Sequence, residues 1–115
     1  MDELVAKIVA ATGADASVAR RAAALILGFL LREGASDKVR ALVDALPGAG
    51  EAIAANPGSG GHGVMSVFND LTAAGLGMGQ IQGAAKAFVA YAREKAGAAT
   101  VDQIVASVPG LGQFV

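Results

Sequence analysis

The chain has 115 residues, of which 54% are hydrophobic and 17% charged, and its mean hydropathy is +0.53, so the sequence is that of one folded domain and excludes a disordered chain. A formal net charge of −1 provides no long-range field to attract nucleic acid or an anionic membrane. Because cysteine is absent, disulfides, thiolate nucleophiles and cysteine-bound metals are excluded.

The first part of the chain carries start and stop signals for three helices, which are short, long and short. Acidic and hydroxyl residues favour helix starts, whereas glycine and proline favour helix ends. The signals are, in chain order, Asp2 and Glu3 before Gly13, Asp15 or Ser17 before Gly34, and Ser36 with Asp37 before Pro47-Gly48. The long helix contains an uncharged, strongly apolar run, residues 22–31, which is half the roughly 20 residues that a membrane span needs. We therefore predict a buried helix there and no membrane span.

The second part repeats this order after a glycine-rich linker. Residues 51–56 can form one or two helical turns, and Pro57 disfavours continuing them. Beyond the linker, apolar residues at helical spacing precede Gly75, Gly97 and Pro109-Gly110 in turn.

Position n matches position n+62 without a gap, so that Pro47-Gly48-Ala49-Gly50 falls on Pro109-Gly110-Leu111-Gly112. No segment alternates apolar and polar residues over the length of a strand. We therefore predict a single all-α domain over residues 1–115 with six or seven helices. They form two related short-long-short halves, 1–56 and 64–115, joined by the linker 57–63, and we expect the two long helices to pack together.

Residues 71–111 provide a family resemblance. They read LTAAGLGMGQIQGAAKAFVAYAREKAGAATVDQIVASVPGL, with a glycine-broken first helix, a long Ala/Gly-rich helix and a short helix followed by Pro-Gly. The segment resembles small bacterial all-helical domains of unknown function. This resemblance implies a helical fold and brings no catalytic or binding residue with it.

The linker formally matches the dinucleotide-binding pattern G-x-G-x-x-G. That pattern requires a preceding strand, and none is predicted, so a flexible linker is the favoured interpretation. A weaker alternative is an anion-binding loop, although no lysine or arginine is expected nearby. Its residues would be Gly58, Gly60, Gly61, His62 and Gly63.

His62 is the only histidine and could in principle act as a general base or a metal ligand. Its nearest acidic residue in sequence is Asp70, and no set of carboxylates has catalytic or metal-binding spacing, so we favour an exposed loop histidine. Arg20-Arg21 with Lys86 and Arg93 could form a basic face, but it lacks the aromatic residues that stack on bases. We therefore predict no catalytic, cofactor or metal residue and no nucleic-acid partner.

The sequence ends with apolar residues, Phe114 and Val115, and we expect them to dock on the chain's own core in preference to covering a partner.

The favoured function is a non-enzymatic module for protein interaction or self-association, with a homodimer or another protein as partner. The candidate interface residues are Phe29, Tyr91, Phe114 and Val115. The alternative is a carrier that holds a small hydrophobic ligand in a cavity between the two halves. A cytoplasmic location is the default expectation, since acidic residues occupy the N-terminus where a secretory signal would be basic.

Overall fold

The structure is a computed structural model that describes residues 2–34, 36–56, 58 and 63–108. Within these ranges the chain forms seven α-helices and no strand, which confirms the all-α prediction. The helices are α1 (Asp2–Thr12), α2 (Ala16–Glu33), α3 (Ser36–Asp44), α4 (Ala49–Ala55), α5 (Val64–Ala73), α6 (Met78–Ala96) and α7 (Ala98–Ser107).

Glycine fixes two of the helix ends through its backbone conformation. Gly13 follows α1 with a φ of +73° and donates its N–H to the Val9 carbonyl at 2.8 Å. Gly97 has a φ of +91° and is the single residue between α6 and α7. Because side chains rarely tolerate these backbone conformations, glycine ends one helix and allows a sharp change of direction. Asp15 occupies the position before α2, but its side chain makes no capping hydrogen bond.

Helix α2 forms the centre of the core. Residues 22–25 and 27–30 are all buried, as expected for the uncharged run. Four of its buried residues are alanines, and such short side chains let neighbouring helices approach closely. Charged residues stay at the surface, where Arg20 pairs with Asp2 at 2.9 Å and Arg93 with Asp102 at 2.8 Å.

The most extensive contact between helices joins α1 to α6. Gly83 allows this approach, because a Cβ atom there would lie only 3.2 Å from the Ala11 carbonyl oxygen. Gln80 Nε2 also donates to the Thr12 carbonyl at 3.3 Å, which gives a carbonyl at the end of α1 a hydrogen-bond partner. The two long helices, α2 and α6, also contact each other, but less extensively than α1 contacts α6.

These contacts do not divide the chain into two separately packed halves. Helix α1 packs more extensively on α6 than on its sequence neighbour α2, and α5 packs on α2. Helices α5, α6 and α7 nevertheless begin 62 residues after α1, α2 and α3, respectively. The domain measures 29 × 27 × 25 Å, and its core contains residues from all seven helices.

Candidate functional site

An apolar groove opens between α2, α6 and α7, with contributions from α3 and α5. Among the described residues, no polar atom contributes to its surface. The described residues that line it are Ile26, Phe29, Leu30, Leu42, Val67, Phe68, Leu71, Ile81, Ala85, Phe88, Val89, Ala92, Val101, Ile104 and Val105. Helices from both predicted halves therefore form its walls.

The groove has a buried floor and a half-exposed rim. Phe29, Leu42 and Ile104 are at most 2% exposed and belong to the floor. Val89 and Val105 belong to the rim and are only half-buried. An apolar group that enters from solvent would thus replace water on the rim and contact side chains that the fold already holds in place.

The size of the groove limits what it can hold. Its cavity is about 60 Å³, within a total space of about 700 Å³ that includes the opening to solvent. An apolar cavity of about 150 Å³ can enclose a molecule as small as benzene. The enclosed part is therefore too small for a whole ligand, and most of any occupant would lie in the open part.

Two of the predicted interface residues lie in the core of the single chain. Phe29 forms part of the groove floor, and Tyr91 is 3% exposed and does not line the groove. The Tyr91 hydroxyl donates to Glu3 Oε2 at 3.5 Å, and Lys95 Nζ lies 5.5 Å from the centre of its ring. Burial, reinforced by the Glu3 carboxylate, raises the pKa of Tyr91 above its ordinary value of 10.0. A partner could reach the Tyr91 ring only if the side chains that cover it moved, and Phe114 and Val115 lie outside the described residues.

The proposed anion loop has acidic side chains at both of its described ends. The Gly63 N–H donates to Glu33 Oε1 at 2.5 Å, and a Cβ atom on Gly58 would lie 2.8 Å from Asp70 Oδ2. These carboxylates would repel an anion, and one of the loop amides is already used. Residues 60–62 lie outside the described part of the chain.

One expectation about this loop is wrong, because a basic residue does lie close to it. Arg21 of α2 lines the same shallow surface depression as Gly58 and Asp70. The carboxylate of Asp70 offsets its charge within that depression. Sequence spacing could not show this neighbour, since Arg21 and Gly58 are far apart in sequence and only the fold brings them to the same depression.

Among the described residues, no group of three or more histidine or acidic side chains could hold a metal ion. Every buried side-chain nitrogen or oxygen in these ranges has a hydrogen-bond partner. No helix within them is both long enough and apolar enough to cross a membrane.

Comparison of the chain with protein-family models, curated proteins and solved structures finds no match. The apolar groove is therefore the feature on which a functional argument can be built. Sequence reasoning indicated a surplus of apolar residues and raised a cavity between the halves as an alternative. It could not identify Val89 and Val105 as rim residues, because at helical spacing they are indistinguishable from core residues.

Proposed function

We propose that the chain is a non-enzymatic helical module that binds an apolar segment of another protein chain, including a second copy of itself, in the groove. The observation that carries this proposal is the entirely apolar surface of a groove whose rim remains half-exposed. Protein interfaces draw most of their binding energy from a few anchor side chains that enter such desolvated pockets.

The dimensions of the groove favour a short segment over a flat, extensive interface. A stable interface takes about 20 to 30 residues from each partner, whereas fifteen described residues line the groove and several of them are buried. One or two anchor side chains would fit instead, which implies weak and reversible association. A formal net charge of −1 makes repulsion between two copies small.

A matched pair of alanine substitutions on α6 tests this proposal. Ala85 lines the groove, whereas Ala90 is exposed on the same helix. Ala85→Leu fills the groove from within, and Ala90→Leu adds the same side chain outside it. Sedimentation equilibrium over a concentration series should show a mass that rises with concentration for the natural chain and for Ala90→Leu, but a single-chain mass for Ala85→Leu.

Two results would contradict the proposal. One is a single-chain mass for the natural chain at every concentration. The other is equal association of the Ala85→Leu and Ala90→Leu variants, because binding would then occur elsewhere on the surface.

A small hydrophobic compound is the second candidate occupant, and the enclosed cavity of about 60 Å³ supports it. That cavity could take the end of an aliphatic chain while the remainder lay along the open groove. Native mass spectrometry of protein purified without denaturation distinguishes the two candidates. A single chain with additional mass, lost in Ala85→Leu, would favour the carrier, whereas a mass of two or more unmodified chains would favour protein association.

We also propose that the two halves derive from one repeated unit. The equal separation of 62 residues between the starts of corresponding helices supports this origin. A groove between the halves is then a surface that a single unit could not form alone.

A further inference from the structure

We infer that residues 109–115 of the same chain, Pro-Gly-Leu-Gly-Gln-Phe-Val, are the resident occupant of the groove and that Leu111 and Phe114 are their anchors. This inference rests on the proposed function, because it assumes that the groove binds an apolar protein segment. Residues 109–115 lie outside the described part of the chain, and the inference is supported by their sequence and by the place where α7 ends.

Helix α7 brings the chain to the wall of the groove. Val101, Ile104 and Val105 line the groove, and Val108, one turn beyond Val105, is 3% exposed. A Cβ atom on Gly34 would lie 3.4 Å from Val108 Cγ2, which places Val108 against the end of α2. The helices that form the groove thus also hold the residue from which segment 109–115 departs.

Segment 109–115 is long enough to reach the groove from the end of α7. Pro109-Gly110 disfavours continuation of α7 and favours a change of direction. Seven extended residues span up to about 24 Å. Leu111 lies three residues and Phe114 six residues beyond Val108, which corresponds to about 10 Å and about 20 Å of extended chain. Both lengths exceed the one helical turn, about 5 Å, that separates Val108 from the groove residue Val105.

The chemistry of the segment matches that of the groove. Residues 109–115 contain no charged side chain, and the described residues that line the groove contribute no polar atom to its surface. The depression near Gly58 is a poorer match, because Arg21 and Asp70 line it. Insertion of Phe114 would remove its ring from water without desolvating a charge.

Covalent attachment favours the chain's own segment over that of another molecule. A short tether gives an effective concentration in the millimolar range, so a partner must either be concentrated or bind more tightly to displace it. Segment 109–115 would therefore set the threshold at which the groove becomes available. Exchange of this segment between two copies would be one route to self-association.

Paramagnetic relaxation enhancement tests this inference directly on the full chain. The sequence has no cysteine, so Gln113→Cys creates a unique site for a nitroxide label. We expect stronger loss of the methyl signals of Val89 and Val105 than of those of Leu4 and Ile8 in α1, which do not line the groove. The loss should persist on dilution, because it arises within one chain. It should be absent in a mixed sample, in which chains with the nitroxide carry no ¹³C and chains with ¹³C-methyl groups carry no nitroxide.

A second substitution identifies the anchor. Adding Phe114→Ser to the labelled chain should restore the Val89 and Val105 signals, and the conservative Phe114→Leu should restore them much less. Intact groove signals in the labelled chain, equal attenuation with and without Phe114→Ser, or attenuation only in the mixed sample would overturn the inference.

The two experiments distinguish a failure of this inference from a failure of the proposed function. If Ala85→Leu abolishes association but the groove signals stay intact, the proposed function stands and this inference fails. If the groove signals are lost but the natural chain never associates, segment 109–115 occupies the groove and the association proposal fails.

Discussion

Substitution of glycines inside the helices by alanine tests how closely neighbouring helices pack. Replacing such a glycine by alanine favours the helix by about 1 kcal/mol but adds a methyl group that its surroundings must accept. On Gly28 of α2 this group would lie 3.6 Å from Ile53 Cγ2, an ordinary van der Waals distance. On Gly83 of α6 it would lie 3.2 Å from the Ala11 carbonyl oxygen, which belongs to the backbone and cannot rotate away.

The two substitutions should therefore change stability in opposite directions. Gly28→Ala should raise the free energy of unfolding by about 0.5 to 1 kcal/mol, which corresponds to a Tm increase of about 3 to 5 °C in a domain of this size. Gly83→Ala gains the same helix contribution, but overpacking between α1 and α6 costs about 1 to 3 kcal/mol, so a net loss is expected. Gly79→Ala, in the first turn of α6 with no atom within 4 Å of the added group, is the control for helix preference alone.

Urea unfolding followed by far-ultraviolet circular dichroism measures all three variants under identical conditions. The decisive quantity is the difference in free energy of unfolding between Gly28→Ala and Gly83→Ala. If Gly83→Ala proved as stable as Gly28→Ala, the contact between α1 and α6 would be looser than the structure shows, and the reasoning would be refuted.

Three further results are expected. Tyr91 is the only tyrosine and tryptophan is absent, so the absorbance of the phenolate follows the titration of this one side chain. Because burial and Glu3 raise the pKa of Tyr91, the midpoint of the titration should lie above 10.0 in the folded chain and lower in urea. Because the folded state holds the phenol proton more tightly, the free energy of unfolding should fall as the pH rises from 10 towards the folded-state pKa. Tyr91→Phe should remove this pH dependence from urea unfolding. Phe29→Ala should lower the free energy of unfolding by about 3 to 5 kcal/mol, because the ring is 1% exposed, and a change below about 1 kcal/mol would exclude a core position. Residues 1–58 alone should show little helicity by circular dichroism, since α1 loses α6, and a cooperative thermal transition would contradict this expectation.

The helices could be predicted because their signals are local. A glycine that adopts positive φ, as at Gly13 and Gly97, ends a helix wherever the surrounding residues pack. The pairing of α1 with α6 could not be predicted, because it depends on a missing Cβ atom at Gly83 facing Ala11, and such complementarity is invisible before the two helices are placed. The long helices do contact each other, as expected, but that expectation gave no indication of the larger contact between α1 and α6.

The groove lay beyond the reach of sequence reasoning for a related reason. Its lining runs from Ile26 to Val105 and comes from five helices, each of which supplies only residues that resemble ordinary core positions. Whether such a residue is buried, as Phe29 is, or half-exposed, as Val105 is, depends on neighbours distant in sequence. The same limit applies to Arg21, whose proximity to Gly58 arises only from the fold.

Small residues have opposite consequences at different places in this domain. Gly83 lets α1 and α6 pack closely, whereas Ala85 and Ala92 leave space beside α2 and α7. Apolar space that a core leaves unfilled lowers stability, here by an amount on the order of 1 kcal/mol relative to a filled core. Ala85→Leu should recover part of that free energy in urea unfolding and abolish association in sedimentation equilibrium, so stability and binding would change in opposite directions. A gain in stability with association unchanged would identify the groove as a packing defect, because filling a binding site must also exclude its occupant.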